Sequence, residues 1–117
     1  NYGEPFPTSG IHAPTWTQAG FYDEPQRSIE LVHALEHGNI VIYYDEPGAD
    51  ALATLKDWAG LYDGQWDGVV VVPGAALGRT VVLSAWTKQL TLDSFDAAAA
   101  AAFIDAYRGR GPENPVR

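Results

Sequence analysis

The sequence predicts an α+β domain in which a small mixed β-sheet of about three or four strands packs with about three helices. Segments with a helical period alternate with short β-branched runs, which favours this class. The first quarter holds four of the eight prolines and shows neither period. Its aromatic content predicts an ordered N-terminal arm without regular secondary structure over residues 1–27. With 117 residues and 46% apolar residues, we expect a single domain, 1–117, whose core is 28–117.

Each predicted element has a local signal. A helix is expected from an N-cap at Ser28 to Gly38, a residue type that commonly ends helices. The last helix is expected to be capped by Asp93 or Ser94. The run TVVLSAW is expected to pair with the preceding VVVVP as a loose hairpin. In chain order the segments are a helix over 29–37 after the Ser28 cap, a strand over 39–44, a helix over 49–62, strands over 69–73 and 80–86, and a helix over 94–111. A similar succession occurs in thioredoxin-like domains, and the likeness concerns architecture only.

The composition excludes several classes of function. Seven Lys and Arg face fifteen Asp and Glu, a formal net charge of −8. An acidic chain repels phosphate, so neither nucleic acid nor an anionic membrane surface is an expected partner. The absence of cysteine and methionine removes thiolate clusters, disulfides and Cys nucleophiles. No apolar run approaches the length of a membrane span, and the first ten residues lack the order of a signal peptide.

The segment HALEHG at 33–38 raises the question of a metal site. On a helical wheel His33 and His37 fall roughly opposite Leu31 and Leu35. The imidazoles are therefore expected outside the packed face, where they meet water or are covered by the arm. That arm carries the third histidine, His12.

Histidines at i and i+4 suit two ligands on one ion. A third imidazole from His12 would give a three-histidine site with one position open to water, which is typical of catalytic zinc. Glu36 is a candidate for three roles: fourth ligand, acceptor for the free N–H of a metal-ligating imidazole, or general base. The alternative is a surface pair, or histidines that only hydrogen-bond. HALEH also fits the H-x-x-E-H pattern of inverzincin peptidases, whose third ligand would have to be Glu46 or Glu113.

Three further residues are candidates near the ion. Glu113 has two predicted roles near the ion: a carboxylate ligand, or an acceptor for the N–H of a ligating imidazole. The alternative is a solvated turn residue. Tyr43 and Tyr44 either offer a phenol near an open coordination position or pack in the sheet.

Motifs along nearly the whole chain are similar to those of a bacterial family, the domain of unknown function 3105. The motifs are PTSGIH at 7–12, GFYDEP at 20–25, VHALEHG at 32–38 with the following IVIYY, LSAW at 83–86 and FIDAYRGRGPE at 103–113. The resemblance implies an extracytoplasmic domain, secreted or tethered by an N-terminal membrane helix outside this sequence, and it implies no activity. It also implies that His12, His33, His37 and Glu113 match positions of the family pattern.

Three hypotheses follow. The first is a metal-binding domain holding one divalent transition-metal ion, with Cu or Zn preferred because imidazoles without sulfur ligands suit them. Binding needs neutral imidazoles, so affinity should collapse below about pH 6. The second is a metalloenzyme in which the ion activates water or oxygen and Glu36 is the acid or base. The third is a metal-free interaction domain.

Overall fold

Local sequence signals set most of the helix and strand boundaries. The computed structural model describes Phe6, Thr8 and residues 15–117. This part of the chain forms three helices and one five-stranded sheet, which confirms the predicted α+β class. In chain order the elements are β1 (Gly20–Phe21), α1 (Ser28–His37), β2 (Ile40–Tyr44), α2 (Ala49–Leu61), β3 (Val69–Pro73), β4 (Val81–Ala85), β5 (Lys88–Leu92) and α3 (Ala97–Tyr107).

The end of α1 is fixed by the glycine that the sequence singled out. Gly38 has a left-handed φ of 108°, and its N–H donates to the carbonyls of Ala34 and Leu35. The Asn39 side chain then donates to the carbonyls of Ala34, at 3.1 Å, and Gln65, at 2.8 Å. Because the chain turns here through satisfied backbone groups, α1 passes directly into β2.

The N-terminal caps differ from the predicted ones. The residue preceding α1 is Arg27, whose side chain makes no capping bond, and Ser28 is already helical. At α3 the cap is Asp96, whose carboxylate accepts an N–H of the first turn at 3.1 Å, rather than Asp93 or Ser94. Both shifts are small, as expected where several polar residues precede a helix.

The sheet has the strand order β1-β3-β2-β4-β5. Strand β2 is parallel to β3 and antiparallel to β4, so it lies between the two strands that were expected to form a hairpin. That hairpin prediction is wrong, because the α2 connection places β2 and β3 side by side and β4 then joins the free edge of β2. The prediction of about three or four strands is corrected to five.

The two strands missing from the prediction lie at the edges. Strand β5 forms a tight hairpin with β4, from Val81↔Leu92 to Ala85↔Lys88. Strand β1 is parallel to β3 and belongs to the arm, so the arm is not without regular secondary structure. Its two residues pair with Val70 and Val71.

Helices cover both faces of the sheet. On one face, α2 and α3 pack on alternate residues of β2, β3 and β4, including Ile42, Val71 and Leu83. On the other face, α1 packs on the remaining residues, with arm aromatic side chains beside it. Burial on both faces explains why β2 and β3 read as nearly continuous apolar runs. The second face carries the histidines.

Candidate metal centre

Helix α1 brings His33 and His37 together. The imidazole ring centroids are 4.6 Å apart, as expected for side chains one helical turn apart. The exposed fractions are only 7% for His33 and 2% for His37. The two imidazoles are therefore buried, although they do not belong to the two apolar clusters of the core.

The arm orients the first imidazole. Nδ1 of His33 lies 3.1 Å from the carbonyl oxygen of Thr15. A carbonyl only accepts, so Nδ1 donates in this contact, and Nε2 is the nitrogen left to bind a metal ion. Two bonds to Glu30 hold the arm on α1 at this point: the Thr15 hydroxyl donates to the carboxylate at 2.7 Å, and the Thr17 N–H donates to the carbonyl at 3.2 Å. An N–H bond to a backbone carbonyl is the arrangement that orients metal-ligating histidines.

The residues after α3 supply a carboxylate. Oε1 of Glu113 lies 3.1 Å from Nε2 of His37. The residue also donates its N–H to the Glu36 carbonyl at 3.4 Å, so its backbone follows the end of α1. The side chain is 44% exposed, in contrast to the imidazole that it meets. One side of this cluster is therefore open to water.

His33, His37 and Glu113 form a group of three potential ligands, two imidazoles and one carboxylate. One ligand atom from each residue can be chosen so that all of them lie within 4.8 Å of one another. Bond lengths of about 2.0–2.2 Å in a tetrahedral shell place ligand atoms about 3.3 Å apart. The 3.1 Å separation of His37 and Glu113 is already close to this value. The other separations among the three ligand atoms would have to shorten by at most about 1.5 Å for all three to coordinate one ion.

Two indoles cover the histidines. The ring centroid of His37 is 4.6 Å from Trp16 and 4.2 Å from Trp66. Trp16 also meets His33 edge-on at 5.5 Å. Neither indole offers a lone pair to a metal ion, so their contribution is to exclude water and to limit the motion of the imidazoles.

The surroundings of His37 favour its neutral form. Burial lowers the pKa of His37, the nearby His33 lowers it further, and the carboxylates of Glu113 and Glu36 and the carbonyl of Gln65 raise it in part. The net direction is downward. His37 is therefore neutral, and able to ligate, at neutral pH.

The other predicted residues have different places. His12 lies outside the described residues, so its role as the third imidazole stays a prediction. Glu36 is half-buried on α1 and acts on His37 electrostatically. The Tyr44 hydroxyl donates to the Tyr22 carbonyl at 2.7 Å. Tyr43 packs against Phe6 with ring centroids 4.6 Å apart, and burial raises the pKa of its phenol. Both tyrosines thus have packing roles in the sheet.

Sequence reasoning missed Trp66 and the carbonyl of Thr15. Trp66 belongs to the acidic loop between α2 and β3, where no period predicts a contact. A backbone carbonyl carries no residue-type signal at all. The aromatic residues of the arm were expected to pack on the rest of the domain, without a predicted partner. The structure shows that Trp16 contacts His37.

The fold and the site define an α+β domain with a candidate histidine and carboxylate metal centre. The chain belongs to the family described as protein of unknown function (DUF3105), whose model matches residues 1–117. No curated protein and no solved structure matches the chain. In the part of the chain that the structure describes, no helix is long and apolar enough to cross a lipid bilayer.

Proposed function

We propose that this protein is an extracytoplasmic metal-binding domain that holds one divalent transition-metal ion at His33, His37 and Glu113. The observation that carries the proposal is the convergence of two buried imidazoles and a carboxylate within 4.8 Å. The predicted His12 imidazole would complete a four-ligand shell.

The composition of the site supports zinc or copper. Two imidazoles and a carboxylate suit Zn(II) and Cu(II), whereas Cu(I) prefers the thiolate and thioether ligands that this chain lacks. The orientation of His33 by the Thr15 carbonyl supports binding through Nε2. The location outside the cytoplasm rests on the family resemblance, and a secreted or membrane-tethered form is equally compatible with it.

Metal analysis of untagged protein tests the proposal. We expect one ion per chain after reconstitution with zinc, copper or nickel in turn, and less than a tenth of that content in the double variant His33→Ala/His37→Ala. The control variant Glu24→Gln removes a carboxylate that is exposed and lies before α1, and it should retain full binding. Wild-type protein that stays below one ion in ten chains with all three metals would contradict the proposal and leave the interaction domain as the better hypothesis.

The two indoles provide an independent signal. Trp16 and Trp66 lie against His37, so a paramagnetic Cu(II) ion at the site should quench their fluorescence. The quenching should saturate at one equivalent and should be lost in the double histidine variant. Quenching that persists in that variant would place the ion elsewhere.

A further inference from the structure

The segment that carries Glu113 docks on the end of α1 through backbone groups. Gly109 donates its N–H to the carbonyl of Gly38 at 2.9 Å, and Glu113 donates to the carbonyl of Glu36 at 3.4 Å. Carbonyls at the end of a helix lack intrahelical partners and need such donors. We call residues 109–117 the C-terminal segment. Its docking supplies hydrogen-bond donors to carbonyls on both sides of His37, at the end of α1.

Glycine at position 111 permits this close approach. A Cβ atom at Gly111 would lie 2.4 Å from the carbonyl oxygen of Glu36, 2.4 Å from the nitrogen of Gly38 and 2.7 Å from the carbonyl carbon of His37. All three are backbone atoms, so no side-chain rotation can relieve the contact. Gly111 is not among the residues with positive φ, so the contact rather than the backbone conformation requires glycine here.

The far end of the segment is held separately. Val116 donates its N–H to the Gly109 carbonyl at 2.8 Å, and the Arg117 guanidinium donates to the Arg108 carbonyl at 2.8 Å and to the Asp105 carboxylate at 3.1 Å. These bonds do not involve α1. A change at Gly111 should therefore move the part of the segment nearest the metal centre without releasing its other end.

We propose that Gly111 is a positioning residue for the metal centre, because its lack of a side chain lets the segment dock where the Glu113 carboxylate meets His37. This inference rests on the proposed metal-binding function. It has a thermodynamic consequence: a ligand atom on a segment that docks and undocks couples docking to metal binding, and the coupling is reciprocal. Zinc should tighten the docking, and undocking should weaken zinc binding.

A double-mutant cycle tests the positioning role. The variants are Gly111→Ala, Glu113→Gln and the two combined, with zinc affinity measured by calorimetric competition. We expect each single change to weaken zinc binding about 10- to 100-fold. The combined variant should bind zinc no more than about twofold more weakly than the weaker-binding single variant, since Gly111→Ala already removes the carboxylate from the site.

A matched control separates steric contact from loss of glycine as such. Among the residues that the structure describes, a Cβ atom at Gly60, in α2, would meet no heavy atom within 4 Å other than the backbone of its own helix. Gly60→Ala should leave zinc affinity unchanged. Amide hydrogen exchange of Gly109 and Glu113 supplies a second measurement on the wild-type protein: zinc should slow both amides by at least tenfold, whatever the fate of the alanine variant.

The outcomes distinguish the two proposals. If wild-type protein binds no zinc, copper or nickel, the proposed function itself is overturned. If wild-type protein binds zinc but Gly111→Ala binds it equally well, or if the two substitutions weaken binding multiplicatively, the positioning role is overturned alone. The same holds if zinc leaves the exchange of the Glu113 amide unchanged.

Discussion

Zinc should raise the thermal stability of the protein by an amount that can be worked out in advance. The ligand atoms belong to α1 and to the C-terminal segment, so unfolding separates them and destroys the site. At free zinc 100 times the dissociation constant, binding stabilises the folded state by about 2.7 kcal/mol. An unfolding entropy of about 2.1 cal/mol/K per residue gives about 0.25 kcal/mol/K for 117 residues. The expected rise in Tm is therefore about 11 °C.

Differential scanning calorimetry measures this shift directly. The metal-free protein and the zinc-saturated protein should be compared at one pH, in a buffer that does not bind zinc. The double variant His33→Ala/His37→Ala is the control, and its Tm should change by no more than about 1 °C. A wild-type Tm that stays constant at saturating zinc would refute the reasoning, because an ion bound only by the folded state must stabilise it.

Three more predictions concern single side chains. His12→Ala should weaken zinc binding at least about tenfold if the third imidazole ligates, and unchanged calorimetric affinity would show that it does not. Tyr43→Phe should leave stability unchanged or raise it by up to about 1 kcal/mol in urea unfolding, because the buried hydroxyl has no hydrogen-bond partner among the described residues; a loss above about 1 kcal/mol would contradict this. The pKa of His37 is lowered on folding, so the unfolded chain takes up this proton first as the pH falls below 6.5. The free energy of unfolding of the metal-free protein, measured by urea titration, should therefore fall as the pH is lowered from 6.5 to the lowered pKa. His37→Gln should lose less of it over the same interval. Equal losses would show that His37 does not contribute.

The fold could be predicted where the determining interactions are local. The bounds of α1 follow from the helical period and from Gly38, whose left-handed φ stops the helix. Strand β2 is recognisable because both of its faces are buried, which requires a continuous apolar run. These signals lie within about ten residues of each other in the chain, within the range of a periodicity argument.

Strand pairing could not be predicted from the same signals. The choice of β2 rather than β3 as the partner of β4 depends on the α2 connection, which no local pattern encodes. The β4–β5 hairpin turns through Trp86 and Thr87, and Thr87 has a positive φ of 63° although it is neither glycine nor asparagine. The usual sequence signal of a tight hairpin is therefore missing. The alternation in KQLTL was the remaining clue to β5.

The same contrast between local and long-range interactions applies to the candidate site. The i, i+4 spacing of His33 and His37 is a local pattern and predicts their contact on α1. Glu113 was predicted both as a ligand and as a solvated turn residue, because spacing along the chain does not determine where an irregular segment returns. The structure brings it to 3.1 Å from His37 through the close approach at Gly111.

The way the sheet is covered has a practical meaning for protein production. On the face that bears α1, the rings of Phe6, Trp16 and Tyr22 complete the apolar layer where a further helix would otherwise be needed. A shortened version beginning at residue 28 would leave this layer bare and would also lose the β1 pairing and the carbonyl that orients His33. Such a version should be prone to aggregation and should bind the proposed metal ion less tightly. Expressed versions of this domain should therefore begin upstream of the first helix and include the arm.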